Sequence, residues 1–274
     1  MSHVLYKYLD IGGAQWMLGL EERKYPNLQF TNATQLNDPF DCHPSLIDHE
    51  SMVDKNLQGI RKEWQKEVEE NRATNLRNDT WLCSLSKIYD SILMWAHYCY
   101  GHKGVCIGLE IEKVLKSTPP LFCSIYLEPH LWEVQYQDII QRSTGGIDPW
   151  HYQLSTKAKD WEYEREVRLI AENPSGMYAA FTPQQAKENK LDKTWDWKEI
   201  HQYMPLKGDC FESIYFGIST PEEDKEKIIN HARKHLNPNI KIYQMTVDEN
   251  AFRLNAEDIT NLSCTSNIEL KKKT

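Results

Sequence analysis

Three glutamates and an arginine alternate along the segment WEYEREVRL, residues 161–169. In a strand, four side chains of this segment would point to the same side of the sheet: Glu162, Glu164, Glu166 and Arg168. Carboxylates at alternate positions repel one another and need a compensating cation, for which Arg168 is one candidate. In a cleft, such crowding suits a general base or a group that stabilises a developing positive charge. The alternative is an exposed edge strand whose glutamates protect the edge and form cross-strand pairs with arginine.

The segment MWAHYCYGHKG, residues 94–104, concentrates two histidines, two tyrosines and a tryptophan. Trp95 and Tyr98 have the spacing of neighbours on one helix face, whereas His97 lies on a different face. His97 and His102 are separated by a glycine and are not a helical ligand pair, so the pattern predicts no metal site. We expect the rings mainly to brace the core, with their polar tips hydrogen-bonded. The alternative is a pocket wall into which His97 and His102 reach, with His102 as a proton shuttle.

The segment NDPFD, residues 37–41, predicts a tight turn, because Asn and Asp before proline bond to the nearby backbone. The turn is either a rigid corner at the end of a strand or part of a pocket wall. In the second case Asn37 and Phe40 would point at a ligand.

The order of predicted elements indicates the α+β class, because strands and helices mix without a regular βαβ repeat. We expect one domain over residues 1–274, with a helical insertion at 48–78 and a frayed tail at 265–274. The insertion carries an apolar stripe typical of a long amphipathic helix: Met52, Leu57, Ile60, Trp64 and Val68. The predicted strands are HVLYKYL, LQFTNA, TWLCSLS, GVCIGLEI, LWEVQYQDI, WEYEREVRLIA, ESIYFGI and IKIYQMTV.

Composition and motif content weigh against several classes of function. The formal net charge is -8, which disfavours a protein that binds nucleic acid through a general basic field. The seven cysteines include no CxxC pair, so the sequence predicts neither a disulfide framework nor a structural zinc site. No apolar run approaches the roughly 18–20 residues of a membrane span, and we expect a soluble, cytoplasmic protein. P-loop, HExxH, GxSxG and GxGxxG patterns are absent from the sequence.

The segments LYKY, NDPFD, CSLS, MWAHYCYGHKGVCIG and WEYEREVRL, in this order, resemble a widespread bacterial family known only as a domain of unknown function. The resemblance spans about residues 5–245. That family is in turn remotely similar to ADP-ribosyltransferases, which cleave NAD at the nicotinamide bond and pass ADP-ribose to a protein or nucleic acid. The resemblance therefore implies a split, mainly antiparallel sheet with flanking helices, NAD as the substrate and no metal.

The same resemblance implies roles for individual residues. Glu166, or else Glu164, would hold the nicotinamide-ribose hydroxyl and stabilise an oxocarbenium-like transition state, and Glu166 is preferred. Lys7 and Tyr8 on the first strand would lie beside the ribose and phosphates. The residues implied near the nicotinamide or in the pocket wall are Thr31, Asn37, Phe40, His97, Tyr98 and His102. Lys7 stands where ADP-ribosyltransferases usually have Arg or His, and their Ser-Thr-Ser element is absent from this sequence.

The leading expectation is an NAD-dependent ADP-ribosyltransferase or NAD glycohydrolase, acting as a toxin or phage-defence effector. Its macromolecular acceptor would be protein, RNA or DNA, and an antitoxin or regulatory partner is compatible with that role. The alternative is a catalytically inert module that binds a nucleotide or a peptide. A metal-free nuclease is a weaker third reading, because the net charge is negative and no His/His or His/Lys motif is present.

Overall fold

The computed structural model describes residues 4–20, 25–117, 130–142, 149–172 and 200–261. The strands are β1 (Val4–Leu9), β2 (Asn27–Asn32), β3 (Thr80–Ser86), β4 (Val105–Glu110), β5 (His130–Glu133), β6 (Gln135–Gln137), β7 (Thr156–Ala158), β8 (Glu166–Glu172), β9 (His201–Pro205), β10 (Phe211–Phe216), β11 (Lys241–Val247) and β12 (Leu254–Asp258). The helices are α1 (Ile11–Leu18), α2 (His49–Met52), α3 (Ile60–Asn78), α4 (Ile92–Tyr98), α5 (Ile111–Ser117), α6 (Pro149–Ser155) and α7 (Glu222–His231). Short 3-10 helices cover Ala33–Gln35, Pro44–Leu46, Lys159–Glu164 and Gly208–Cys210, and a π-helical turn covers Ala232–Leu236.

The chain divides into two compact units, each built from separate stretches of sequence. The first unit comprises Met1–Leu28, Leu85–Thr118 and Pro205–Thr274, and the second comprises Gln29–Ser84 and Pro119–Met204. The prediction of a single domain, with 48–78 inserted, stays a prediction. The tail 265–274 lies outside the described residues.

The first unit contains a sheet with the strand order β12-β11-β10-β4-β1. All neighbouring strands in this order are antiparallel except β10 and β11, which are parallel. In the second unit, β2 and β3 pair antiparallel, β5 and β8 pair antiparallel, and β6 and β7 form a short parallel ribbon. The prediction of a mixed, mostly antiparallel α+β fold with flanking helices is confirmed. None of the described helices is both long and apolar enough to cross a membrane.

One local prediction is wrong. Residues 161–164 are not a strand, because a 3-10 helix occupies Lys159–Glu164 and Arg165 adopts a left-handed φ of 46° before β8 begins.

Small residues on β4 make room for a stack of tyrosines in the first unit. Tyr6 on β1 faces Gly108 on β4 in register, and Tyr215 on β10 faces Cys106. The ring of Tyr89 packs edge-on to Tyr6, with centroids 5.4 Å apart, and stacks on Tyr215 at 4.5 Å. A side chain at position 108 would clash with the hydroxyl of Ser213 and crowd the ring of Tyr6. This explains why the strand carries glycine there.

The ring-rich segment 94–104 braces this unit. Trp95 is fully buried, donates from its indole nitrogen to the carbonyl of Tyr89 at 2.7 Å, and packs edge-on to Tyr8. The turn after α4 is held by Gly104, whose carbonyl accepts from the backbone of Gly217 at 3.1 Å. A Cβ atom on Gly104 would collide with the carbonyl oxygen of Leu9.

We therefore predict that Gly104→Ala lowers the free energy of unfolding by about 1–3 kcal/mol, the usual cost of overpacking a closed site. Gly12→Ala in α1 is the matched control, because its new Cβ would meet only the Asp10 carboxylate, at 3.7 Å. Alanine is also the better helix former, so the control should lose no stability. Urea denaturation of both variants measures the difference, and equal midpoints would contradict the packing argument.

Candidate functional site

Five charged side chains of the second unit meet in one buried group, which we call the ion cluster: Asp41, Lys157, Glu164, Glu166 and Arg168. Each of these side chains is at most 5% exposed. Charged groups are buried this deeply only when they are paired and hydrogen-bonded. The hydrogen bonds within the cluster therefore decide what it can do.

Arg168 is the centre of the ion cluster. Its Nε donates to Oε1 of Glu166 at 2.8 Å, and one Nη donates to Oε2 of the same carboxylate at 3.1 Å. Two further bonds, at 2.8 and 2.7 Å, reach the two oxygens of Asp41. A fifth, at 2.8 Å, reaches the carbonyl of Leu154. These five bonds match the five N–H donors of a guanidinium group.

Lys157 is the second cation. Its Nζ donates to Oε2 of Glu164 at 2.6 Å and to Oε2 of Glu166 at 3.3 Å, and lies 3.7 Å from Asp41. It also lies 4.8 Å from the ring centre of Trp161, at cation–π distance. Burial alone would lower the pKa of Lys157, but the three carboxylates outweigh burial and raise it.

The electrostatics keep Glu166 ionised. Burial tends to raise its pKa, but Arg168 and Lys157 together outweigh burial and hold the pKa at about 2. Both carboxylate oxygens of Glu166 are occupied by these two cations. Glu166 is therefore an anion that positions the cluster and has little capacity to bind a ligand directly.

Two residues with a left-handed backbone conformation, Arg165 and Cys42, help to bring the carboxylates together. Arg165 turns the chain between the 3-10 helix and β8, so that Glu164 and Glu166 both reach Lys157 from different elements. Cys42, with φ of 53°, follows Asp41 at the end of the bend. The backbone N–H of Glu166 also donates to the hydroxyl of Tyr136 at 2.8 Å, which fixes the start of β8.

The charges of the ion cluster do not balance. Asp41 and Glu166 already account for the two cations, since Arg168 bonds to both and Lys157 lies within 4 Å of both. Glu164 adds a third carboxylate and leaves one net negative charge among the five groups. Glu164 is itself held by Lys157, whose bond to it at 2.6 Å is shorter than its bond to Glu166 at 3.3 Å, so all three carboxylates are paired within the cluster.

The bend at residues 37–41 contributes to this site through its last residue, Asp41. Asp38 shapes the bend by accepting from the backbone N–H of Phe40 at 2.9 Å. Asn37 and Phe40 are exposed, with Phe40 at 55%. Their contact with a ligand stays a prediction. Thr31 lies on β2, where its hydroxyl is 3.3 Å from Nδ1 of His201.

The other predicted binding residues belong to the first unit: Lys7, Tyr8, His97, Tyr98 and His102. Tyr8 is buried and donates to the carbonyl of Ile88 at 3.0 Å, and burial raises the pKa of its hydroxyl. His97 is exposed, Lys7 and Tyr98 are half-buried, and burial lowers the pKa of half-buried His102. Their roles toward NAD stay predictions.

Sequence reasoning missed Lys157. The alternating glutamates indicated that a cation beyond Arg168 was needed, but nothing distinguished Lys157 from the nearby Lys159, which is exposed and bonds to Asp138. Asp41 belongs to the predicted turn NDPFD, but the sequence did not predict its pairing with Arg168. Among the described residues, no group of three or more His, Cys, Asp or Glu side chains is arranged to hold a metal ion.

Residues 94–169 match the model of a family described as a protein of unknown function (DUF2971). The match starts at the ring-rich segment and includes four members of the ion cluster, with Asp41 outside it. The expected similarity to an unknown-function family is confirmed for this part of the chain, while similarity to ADP-ribosyltransferases stays a prediction. No curated protein and no solved structure matches the chain.

We predict that Arg168→Met destabilises the protein by about 3–5 kcal/mol, because it leaves buried carboxylates without their main cation. Arg165→Met is the matched control, since Arg165 is exposed and three positions away. The control should change the free energy of unfolding by less than about 0.5 kcal/mol. Chemical denaturation compares the two variants. Similar losses in both would show that the ion cluster contributes little to stability.

The lowered pKa of Glu166 also predicts a pH dependence. A carboxyl group whose folded pKa is depressed stabilises the protein above its unfolded pKa, and this contribution is lost as pH falls through the folded value. For Glu166 the loss runs from about pH 4.5 down to about pH 2. The free energy of unfolding should therefore fall more steeply over this range in the wild type than in Glu166→Gln. Parallel pH profiles for the two proteins would contradict the assignment.

Proposed function

We propose that the protein cleaves NAD at the nicotinamide bond and transfers ADP-ribose to a macromolecular acceptor, or to water. The net negative charge of the ion cluster, three carboxylates against two cations, is the observation that carries the proposal. This charge is buried, and it includes both glutamates that the resemblance to ADP-ribosyltransferases selects. The cluster also includes Asp41 of the bend at residues 37–41, which the same resemblance selects.

The chemistry requires little more than a well-placed anion. As the bond between the ribose C1′ and the nicotinamide nitrogen breaks, nicotinamide leaves with the bonding electron pair, and positive charge develops on the ribose. A carboxylate in a low-dielectric site stabilises such charge far better than one in water. The acceptor's nucleophile then forms the new bond to C1′ and loses its proton.

The geometry favours Glu164 over Glu166 as the glutamate that faces the ribose. Both oxygens of Glu166 are committed to Arg168 and Lys157, so Glu166 acts on Glu164 through the shared lysine. Removing the charge of Glu164 leaves the two cations balanced by Asp41 and Glu166. Glu164 is thus the carboxylate whose loss would cost activity more than stability.

A second candidate function is a nucleotide- or peptide-binding module without catalysis. It is favoured by the low exposure of the ion cluster, at most 5% for each side chain, and by the saturated hydrogen bonding of Arg168. In such a protein the cluster would only hold the bend, α6 and β8 together.

Incubation with NAD and measurement of released nicotinamide tests the proposal. We expect release by the wild type, at least a hundredfold loss in Glu164→Gln and full activity in Glu162→Gln. Glu162 is the matched control because it is exposed and two residues away. The magnitude follows from the usual cost of removing one group that stabilises a transition state, about 10²–10³-fold.

Thermal melting with and without NAD separates the two candidates. A rise in melting temperature without nicotinamide release would support the binding module and contradict catalysis. No release and no rise would overturn NAD cleavage and favour a binding module whose ligand is a peptide or another nucleotide. Equal losses in Glu164→Gln and Glu162→Gln would remove Glu164 from its proposed role.

A further inference from the structure

Two histidines meet at the end of α7, in the segment HARKH, residues 231–235. His231 is the last residue of α7, and His235 lies in the π-helical turn that follows it. The centres of the two rings are 4.9 Å apart, and the ring planes form an angle of 37°. His235 is exposed and His231 is half-buried, so the pair lies at the surface of the first unit.

The ring of His231 is oriented by α1. Carbonyl groups in the last turn of a helix lack partners within the helix, and Leu18 is the last residue of α1. Nε2 of His231 lies 2.9 Å from the carbonyl oxygen of Leu18. Because a carbonyl oxygen can only accept, Nε2 carries the hydrogen and Nδ1 carries the lone pair of the neutral ring. Histidines that bind metal ions are typically held in this way, with one nitrogen donating to a carbonyl group and the other binding the ion.

The backbone that carries the two rings is fixed by several bonds. The bond of the π-helical turn runs from the backbone N–H of Asn237 to the carbonyl of Ala232, at 2.9 Å. The side-chain amide of Asn237 also donates to the carbonyl of Phe211 at 2.9 Å. Arg233, between the two histidines in sequence, donates to the carbonyl of Thr260. A rigid backbone is what a metal site requires of its scaffold, and π-helical turns are often found at functional sites.

The distance between the rings fits two ligands of one metal ion. Imidazole nitrogens bind Zn²⁺ at about 2.0–2.1 Å, and a tetrahedral ion then holds the centres of two imidazole rings about 5 Å apart. The observed 4.9 Å agrees with this separation. Two histidines four positions apart on a helix are also the pair that binds zinc in HExxH proteins.

We propose that His231 and His235 bind one divalent transition-metal ion of the kind that prefers imidazole, Zn²⁺ or Cu²⁺, with water completing the coordination. The site differs from a hydrolytic zinc site, because Ala232 stands where HExxH has the glutamate that acts as a base. The ion would instead join the end of α7 to the turn after it, and His231 would link the ion to α1 through Leu18.

The site is suited to reversible binding. In the part of the chain that the structure describes, no third His, Cys, Asp or Glu side chain joins the pair to complete a metal centre. Two protein ligands hold an ion less tightly than the four of a structural zinc site. The inference does not depend on the proposed function, because the two histidines belong to the first unit and the ion cluster belongs to the second.

Isothermal titration calorimetry of the chelator-treated full chain with Zn²⁺ alone tests the proposal. We expect one site for Zn²⁺ and no binding of Mg²⁺, which prefers oxygen ligands. His235→Ala should raise the dissociation constant of Zn²⁺ at least about tenfold, since changes around a metal ligand already cost that much. Because His235 is exposed, the metal-free variant should melt at the same temperature as the metal-free wild type.

His97→Ala serves as the control in the same titration. His97 is another exposed histidine of the first unit, so this variant shows what the loss of any surface histidine does. It should leave the dissociation constant of Zn²⁺ unchanged. His231→Ala is less informative, because it also removes the bond to Leu18.

Electron paramagnetic resonance with less than one equivalent of Cu²⁺ counts the histidines that bind. Nitrogen couplings should show two imidazoles on the ion in the wild type and in His97→Ala. In His235→Ala they should show fewer than two.

Three results would overturn the proposal. The first is a wild-type chain that binds neither Zn²⁺ nor Cu²⁺. The second is binding that His235→Ala leaves unchanged. The third is equal weakening by His235→Ala and His97→Ala, which would indicate scattered surface histidines in place of one defined site.

Discussion

The buried guanidinium of Arg168 is the interaction on which the second unit depends. A charge of this kind cannot leave water unless every donor finds an acceptor. Arg168 meets that requirement with the bend at Asp41, the end of α6 at Leu154 and its own strand at Glu166. Because Asp41 and Arg168 are 127 residues apart, one side chain fixes elements that the sequence keeps far apart. Misplacing any of the three acceptors would leave a buried donor unpaired.

Sequence patterns predicted the strands well where burial is continuous. TWLCSLS coincides with β3 and HVLYKYL contains β1, because apolar runs and alternation determine which residues pair in a sheet. The same reasoning failed at residues 161–164, since alternation looks identical whether or not a turn interrupts it. The turn is made by Arg165 in a left-handed conformation, for which glycine or asparagine would have been the usual signal.

The candidate site was only partly predictable, for a related reason. The crowding of Glu164 and Glu166 indicated a need for cations, but which lysine supplies one depends on how β7 approaches β8, and no local pattern encodes that. The apolar stripe on α3 shows a second limit of prediction from sequence. Its spacing predicted an apolar face correctly, yet spacing does not say whether that face meets the same chain or another molecule. In the structure both Ile60 and Trp64 are exposed.

The ion cluster contains three carboxylates against two cations, and this bears on the proposed function. A neutral side chain at position 164 would remove the net negative charge, but it would also remove the carboxylate closest to Lys157, at 2.6 Å. Lys157 would keep Glu166 at 3.3 Å and Asp41 at 3.7 Å. Glu164 therefore combines two roles in the proposal, because it holds Lys157 in place and carries charge that would stabilise a cationic ribose.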